Sequence, residues 1–66
     1  MKVFLNRQEI YVGSRVTLKE LLAGQSISPE GVAVAVNNKI IHKEDWAETF
    51  LSNDDNVTVI QAVCGG

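Results

Sequence analysis

The stretch VTLKELLAG, residues 16–24, decides the fold because it predicts one short helix with clear ends. Thr17 and Glu20 have the spacing of a capping box, in which the threonine hydroxyl accepts a hydrogen bond from the Glu20 amide and the glutamate reaches back. Val16 and Leu21 occupy the two positions of a hydrophobic staple. The helix is therefore expected to begin directly after Thr17.

One side of this helix is apolar. Leu18, Leu21 and Leu22 follow the i, i+3, i+4 spacing of a helix that packs one face against a sheet. Gly24 is expected to end the helix in a left-handed conformation, which glycine adopts without steric penalty.

Short β-type runs flank the helix. VFL at 3–5 and IYV at 10–12 predict a hairpin joined by the polar residues 6–9, with Val3, Leu5, Ile10 and Val12 on one face. After the helix, the sequence predicts a turn at 28–31 and then a strand VAVAV at 32–36 that is buried on both faces or nearly so. A turn at NNK leads to a very short strand at Ile40-Ile41, and one helical turn at 43–47 places Trp46 at the core edge. A turn at 53–56 precedes the final strand VTVIQAV, which starts at residue 57.

This order of elements predicts an α+β fold. A mixed β-sheet with one main helix packed on one face makes a two-layer domain, and the first and last strands are expected to be parallel neighbours because the helix lies in their connection. The known architecture that fits best is the ubiquitin-like β-grasp. We expect a single domain over residues 1–66, with 62–66 as a flexible C-terminal tail.

Composition excludes several function classes. A chain of 66 residues with 45% apolar residues has a thin core and no room beside it for a deep cleft. The net charge is −2 and the six basic residues are scattered, so nucleic acid is not an expected partner. The single cysteine fits a reducing compartment, and no apolar run has the length of a signal peptide core or a membrane span. We expect a cytoplasmic protein with no membrane partner.

Catalytic and metal-binding patterns are absent from the sequence. His42, the only histidine, lies in a polar stretch and is expected to be a solvated loop residue. The chain has no cluster with metal-ligand spacing, no CxxC, no GxGxxG and no P-loop. The prediction is a protein that is not an enzyme and holds no stably bound cofactor.

The chain ends in Gly65-Gly66, which suggests that its terminal carboxylate reacts. A carboxylate activated with ATP as an acyl-adenylate becomes an electrophile, and the activating enzyme must admit slender residues with unusual backbone angles. If the last strand ends near Gln61, the five residues beyond it span about 16–18 Å when extended. Gly66 would then carry the reactive group and Gly65 would thread into the partner.

The sequence resembles the thiamin-biosynthesis sulfur-carrier family, ThiS, over its full length. The resemblance lies in the opening MKVFLN, the helix start VTLKELL, the block VAVAVNNKIIHKEDW and the terminal GG. The family usually has Val-Pro-Arg where this chain has Ile41-His42-Lys43, and the lost proline is expected to affect the loop more than the tail chemistry.

The resemblance implies a reaction sequence. A ThiF-like adenylyltransferase uses ATP to adenylate Gly66, and a sulfur donor protein converts the adenylate to a thiocarboxylate. Thiazole synthase then takes the sulfur for the thiazole ring of thiamin.

A partner surface is expected on the face of the sheet that the helix leaves bare. Strand alternation places Phe4 with Thr58, Ile60 and Ala62 on that face, and we hypothesise that Phe4 and Ile60 sit together and bind the activating enzyme. The alternative is that the loops after Ile41, or a second copy of the chain, cover this face.

Other readings stay open at this point. The small subunit of molybdopterin synthase is a second sulfur carrier with the same Gly-Gly end. A ubiquitin-like modifier would place the Gly66 carboxylate in an amide with a target lysine, and a plain interaction domain would not need Gly66. Cys64 could form a mixed disulfide or cross-link two chains, but we interpret it as a small residue tolerated in the tail, since no adjacent cation activates its thiol.

Overall fold

Five strands and two helices follow one another in the computed structural model, which describes residues 1–61. The elements in chain order are strand β1 (Lys2–Leu5), strand β2 (Gln8–Tyr11), helix α1 (Leu18–Gly24), strand β3 (Val32–Val36), strand β4 (Lys39–Ile41), a 3₁₀ helix (Lys43–Glu48) and strand β5 (Asn56–Gln61).

The strands form one mixed sheet in the order β2-β1-β5-β3-β4. β1 and β5 are parallel, with Leu5 opposite Val57, and the other neighbours are antiparallel. Helix α1 supplies buried leucines to one face of this sheet. The predicted mixed sheet with one main helix and parallel first and last strands is confirmed, and it is the arrangement of a β-grasp.

Both hairpins turn on two residues. Asn6 and Arg7 have φ of 49° and 71°, and Asn37 and Asn38 have φ of 51° and 69°. Positive φ at both central residues is the requirement of a type I′ turn, which asparagine tolerates. Residues 8 and 9, expected from their polar character to lie in the first connection, belong to β2 because the turn is tight.

The core lies between α1 and the sheet. Val3, Leu5, Val34 and Val57 contribute from the strands, and the three leucines at 18, 21 and 22 contribute from the helix, as predicted. Trp46 lies inside the core rather than at its edge, with its indole Nε1 donating to the Ile41 carbonyl at 3.0 Å. Leu51 is also buried and was not among the core residues expected from the sequence.

The start of α1 follows the prediction and its end does not. The capping box is present, with the Glu20 amide donating to Thr17 Oγ1 at 3.1 Å and the Thr17 amide donating to Glu20 Oε1 at 2.9 Å. Gly24 is the last helical residue rather than a left-handed stop.

The left-handed residue at this helix end is Ser26, with φ of 59°. The Ser26 amide donates to the Ala23 carbonyl at 3.1 Å and the Ile27 amide to the Leu22 carbonyl at 3.0 Å. These two bonds form a Schellman motif, whose position is set by where Ile27 returns to pack on the core.

β3 is less buried than its apolar sequence suggested. Val34 is buried, whereas Ala33 and Ala35 are half-buried on the face away from α1. The expectation of a strand buried on both faces, or nearly so, holds in part: every residue of β3 is buried or half-buried, and the small alanines lie on the face that α1 does not cover.

His42 precedes the 3₁₀ helix with φ of −69° and ψ of 146°. Proline imposes φ near −65°. The backbone at this position therefore has the conformation that a proline would require, although this chain has a histidine there.

Candidate partner-binding face

The sheet face opposite α1 is the candidate site. Because side chains alternate along a strand and Val3, Leu5 and Val57 are buried on the helix side, the residues between them point to the opposite side. This open face carries Lys2, Phe4, Glu9, Tyr11, Ala33, Ala35, Ile40, Asn56, Thr58 and Ile60.

Phe4 and Ile60 share the open face but are not neighbours. The register places Phe4 beside Asn56, whereas Ile60 lies opposite Ala33. Four residues along β5 correspond to about 13 Å. The expectation that the two side chains sit together is wrong, because the parallel register pairs Phe4 with Asn56, four residues before Ile60.

Phe4 also has local partners. The Lys2 ammonium lies 5.3 Å from the centre of the Phe4 ring, a cation–π distance, and pairs with the Asp54 carboxylate at 3.6 Å. Phe4 is half-buried. Its ring is therefore less available to a partner than the sequence suggested.

A separate apolar patch lies on β3, β4 and β5. Ala35 lies between Ile40 on one side and Thr58 on the other, and Ala33 lies opposite Ile60. Ile40 and Ile60 are 58% and 57% exposed, so their side chains project from the sheet beside two half-buried alanines. We call these residues, Ala33, Ala35, Ile40, Thr58 and Ile60, the apolar patch.

Thr58 and Ile60 lie on this face as strand alternation predicts, whereas Ile40 was not expected there. A signal for it was present, because a two-residue NN turn pairs Val36 with Lys39 and Ala35 with Ile40. Ile40 must then share the face of the alanines.

The apolar patch lies at the end of β5 from which the chain continues toward its glycines. Ile60 is followed by Gln61, the last residue of the strand. Ala62, Cys64, Gly65, Gly66 and the predicted tail over 62–66 lie outside the described residues.

Two asparagines bind β5 from opposite sides. Asn6 Oδ1 accepts a hydrogen bond from the Val59 amide at 2.9 Å. Asn37 Oδ1 accepts from the Asn56 amide at 2.9 Å, and its Nδ2 donates to Asp55 Oδ1 at 2.9 Å. Both are turn residues with positive φ, so the same side chains that make the hairpins also position the strand that leads to the chain end.

The other side of the molecule has a groove of about 620 Å³ between α1 and the 3₁₀ helix. Leu22, Ile27 and Trp46 line it together with Lys19 and Lys43. Within residues 1–61, no three histidine, cysteine, aspartate or glutamate side chains come together in a way that could hold a metal ion. No helix in this part of the chain is long and apolar enough to cross a membrane.

Known proteins resemble this chain over its whole length. The family model ThiS matches residues 1–66. The chain is 29% identical over 66 residues to the sulfur carrier protein ThiS of Escherichia coli, with all of both chains covered. It is 32% identical over 66 residues to a thiazole synthase of Magnetococcus marinus, covering all of this chain and 20% of that protein.

A solved structure confirms the fold. The crystal structure of the thiamine biosynthesis protein ThiS from Geobacter metallireducens superposes with a TM-score of 0.88 at 23% identity, and the match covers all of both chains. With the family model matching from the first residue to the last, this chain belongs to the ThiS family.

Proposed function

We propose that this chain is a sulfur carrier in thiamine biosynthesis. The observation that carries the proposal is the match to the ThiS family over residues 1–66, together with the end-to-end similarity to the E. coli sulfur carrier. The chain acts as a reagent that is consumed and regenerated, and other proteins catalyse the reactions. It holds no cofactor of its own, and its proposed location is the cytoplasm.

The working group is the Gly66 carboxylate. A ThiF-like adenylyltransferase joins it to the AMP part of ATP and releases pyrophosphate. A sulfur donor protein then supplies sulfur at the sulfide oxidation level to the acyl carbon. The new C–S bond replaces the bond to AMP, which leaves with its electron pair, and the product is a thiocarboxylate. Gly65 has no side chain, so it can thread through a narrow nucleotide site beside Gly66.

Thiazole synthase is the proposed acceptor of the sulfur. Support comes from the thiazole synthase of M. marinus, 20% of which aligns with the whole of this chain. A ThiS-like sequence within a thiazole synthase polypeptide is consistent with the two acting on one substrate.

The exposed residues of the open sheet face support docking of these partners on that face. The apolar patch exposes Ile40 and Ile60, and β5 leads from Ile60 to the residues before Gly66. An enzyme docked on the apolar patch would lie within the reach of the last five residues, about 16–18 Å when extended. Ala62 continues the alternation of Thr58 and Ile60 in sequence and stays a predicted contact.

Intact-mass analysis of the chain purified from its native host under non-reducing conditions tests this proposal. We expect a fraction of the protein to be heavier by the difference between one sulfur and one oxygen, with the change confined to Gly66. A matched variant with one residue added after Gly66 should show no such fraction.

The other outcomes decide between the alternatives. An amide between Gly66 and a lysine of another protein would identify a modifier and contradict the sulfur-carrier proposal. An unmodified chain whose Gly66 can be deleted without loss of thiazole formation would identify a plain interaction domain. Delivery of the sulfur to a pterin rather than a thiazole would point to a molybdopterin synthase subunit.

A further inference from the structure

The backbone of β5 uses its two sides differently. The Asn37 amide donates to the Asn56 carbonyl at 2.7 Å, so the even-numbered residues 56, 58 and 60 direct their N–H and C=O groups toward β3. The Phe4 amide donates to the Asp55 carbonyl and the Asn6 amide to the Val57 carbonyl, both at 2.9 Å. The odd-numbered residues therefore face β1.

β1 is too short to pair with all of β5. It ends at Leu5, and the chain turns away at Asn6 and Arg7. The Asn6 side chain accepts the hydrogen bond from the Val59 main-chain amide that a further residue of β1 would otherwise accept. By the same alternation, the Val59 carbonyl and the Gln61 amide face the side that β1 has left.

This leaves a gap in the sheet beside the last residues of β5. We call it the open lane: the space next to the Val59 carbonyl and the Gln61 amide on the β1 side. Gln61 is exposed, and none of the strands in residues 1–61 occupies the lane. An exposed strand edge of this kind is a template for pairing with another chain.

We infer that the open lane receives an extended segment of the adenylating enzyme, which adds as a strand beside Val59–Gln61. This inference rests on the proposed function, in which that enzyme holds the residues after Gln61 in a fixed direction. Pairing with the Gln61 amide sets the direction of the chain at the point where the described strand ends. Main-chain hydrogen bonds can do this whatever the side chains of residues 62–66 are.

The location of the lane favours the enzyme over a second copy of this chain. The lane borders Gln61, the residue from which the chain continues toward Gly66, and in the proposed function the adenylating enzyme is the partner that holds this end. The lane lies beside Ile60, so an enzyme seated on the apolar patch can fill both at once.

A proline at residue 61 isolates the amide that the lane presents. Gln61→Pro removes this N–H without removing a hydrogen bond to β3, since the even-numbered residues make those bonds, and proline is tolerated in a strand where its missing N–H faces outward. Gln61→Ala removes the same side chain and keeps the main-chain N–H of residue 61. The ratio between the two variants therefore reports the backbone donor.

The assay is ATP–pyrophosphate exchange by the purified adenylating enzyme with each full-length variant. We expect the KM for Gln61→Pro to exceed that for Gln61→Ala by about two- to tenfold from the lost hydrogen bond alone. Circular dichroism melting should show both variants folded. Equal KM values would overturn the inference.

Hydrogen exchange gives an independent readout on the unaltered chain. The Gln61 amide should exchange rapidly in the free protein and become protected in the complex with the adenylating enzyme, whereas the Ile60 amide should be protected in both. Exchange at Gln61 that is unchanged in the complex contradicts the inference. So does a dimer of the free chain that Gln61→Pro dissociates, because a second copy would then occupy the lane.

Failure of the inference can be distinguished from failure of the proposed function. If the wild-type chain supports ATP–pyrophosphate exchange, but the two variants have equal KM values and hydrogen exchange at Gln61 is unchanged in the complex, the chain end is activated without strand addition. If the wild-type chain supports no ATP–pyrophosphate exchange, the proposed function itself is wrong.

Discussion

Replacing Asn6 tests how the first turn and the last strand depend on one side chain. Asn6 has φ of 49° and accepts a hydrogen bond from the Val59 amide at 2.9 Å. Asn6→Gly removes the side-chain acceptor and keeps a residue that tolerates positive φ. Asn6→Ala removes the acceptor and also introduces a side chain that disfavours this backbone conformation. The pair of variants separates the two effects.

The magnitudes follow from these two terms. An intramolecular hydrogen bond contributes about 0.5–1.5 kcal/mol, so Asn6→Gly should lower the free energy of unfolding by about 1 kcal/mol. A left-handed conformation costs an ordinary residue about 1–2 kcal/mol, so Asn6→Ala should lose about 2–3 kcal/mol in total. For a domain of this size 1 kcal/mol corresponds to about 4–8 °C in Tm.

Urea unfolding followed by the fluorescence of Trp46, the only tryptophan, measures both changes. Its buried indole changes environment on unfolding, and reducing conditions keep Cys64 from cross-linking two chains. Equal stabilities for wild type and Asn6→Gly would show that the bond to Val59 contributes no more than glycine gains by relieving the positive φ. Equal stabilities for Asn6→Gly and Asn6→Ala would refute the argument from φ.

Two further predictions concern the helix end and the apolar patch. Ser26→Gly should stabilise the protein by about 0.5–1 kcal/mol by relieving the positive φ of 59°, and Gly24→Ala should also stabilise it by about 0.5–1 kcal/mol because Gly24 is helical and a Cβ there meets open space. Thermal melting measures both changes. If Gly24→Ala destabilised the protein, Gly24 would be the left-handed residue that ends the helix, as the sequence suggested. Ile40→Ser and Ile60→Ser should each raise the KM of the adenylating enzyme for this chain about fivefold or more, whereas Phe4→Ala should have the smaller effect because its half-buried ring lies under Lys2. A larger effect from Phe4→Ala than from either isoleucine would place the docking site elsewhere on the sheet.

Helix α1 shows what could be predicted along the chain. Its start depends on Thr17 and Glu20, three residues apart, and both hydrogen bonds of the capping box are present. Its end could not be predicted as well. The left-handed residue is Ser26 because Ile27 returns to the core there, and the local preference of Gly24 did not decide the position.

The candidate site shows the same division. Alternation along β1 and β5 placed Phe4, Thr58 and Ile60 on one face, which the structure bears out. Their spacing along the sheet required the register, and the register separated Phe4 from Ile60. Ile40 escaped notice because its place on that face follows from pairing with Ala35 rather than from its own neighbours in sequence.

The sequence by itself determined the features that depend on residues within about four positions of each other: the start of the helix with its cap, the turn at Asn37-Asn38 and the alternation of the strands. The resemblance over the full length identified the family. Only the tertiary structure decided the parallel register of β1 with β5, the apolar patch and the open lane. The reason is that these depend on contacts such as that of Asn6 with Val59, 53 residues apart, which exist only in the folded chain. Side-chain spacing encodes a local hydrogen bond directly, whereas a register between distant strands is selected by the burial of the whole core.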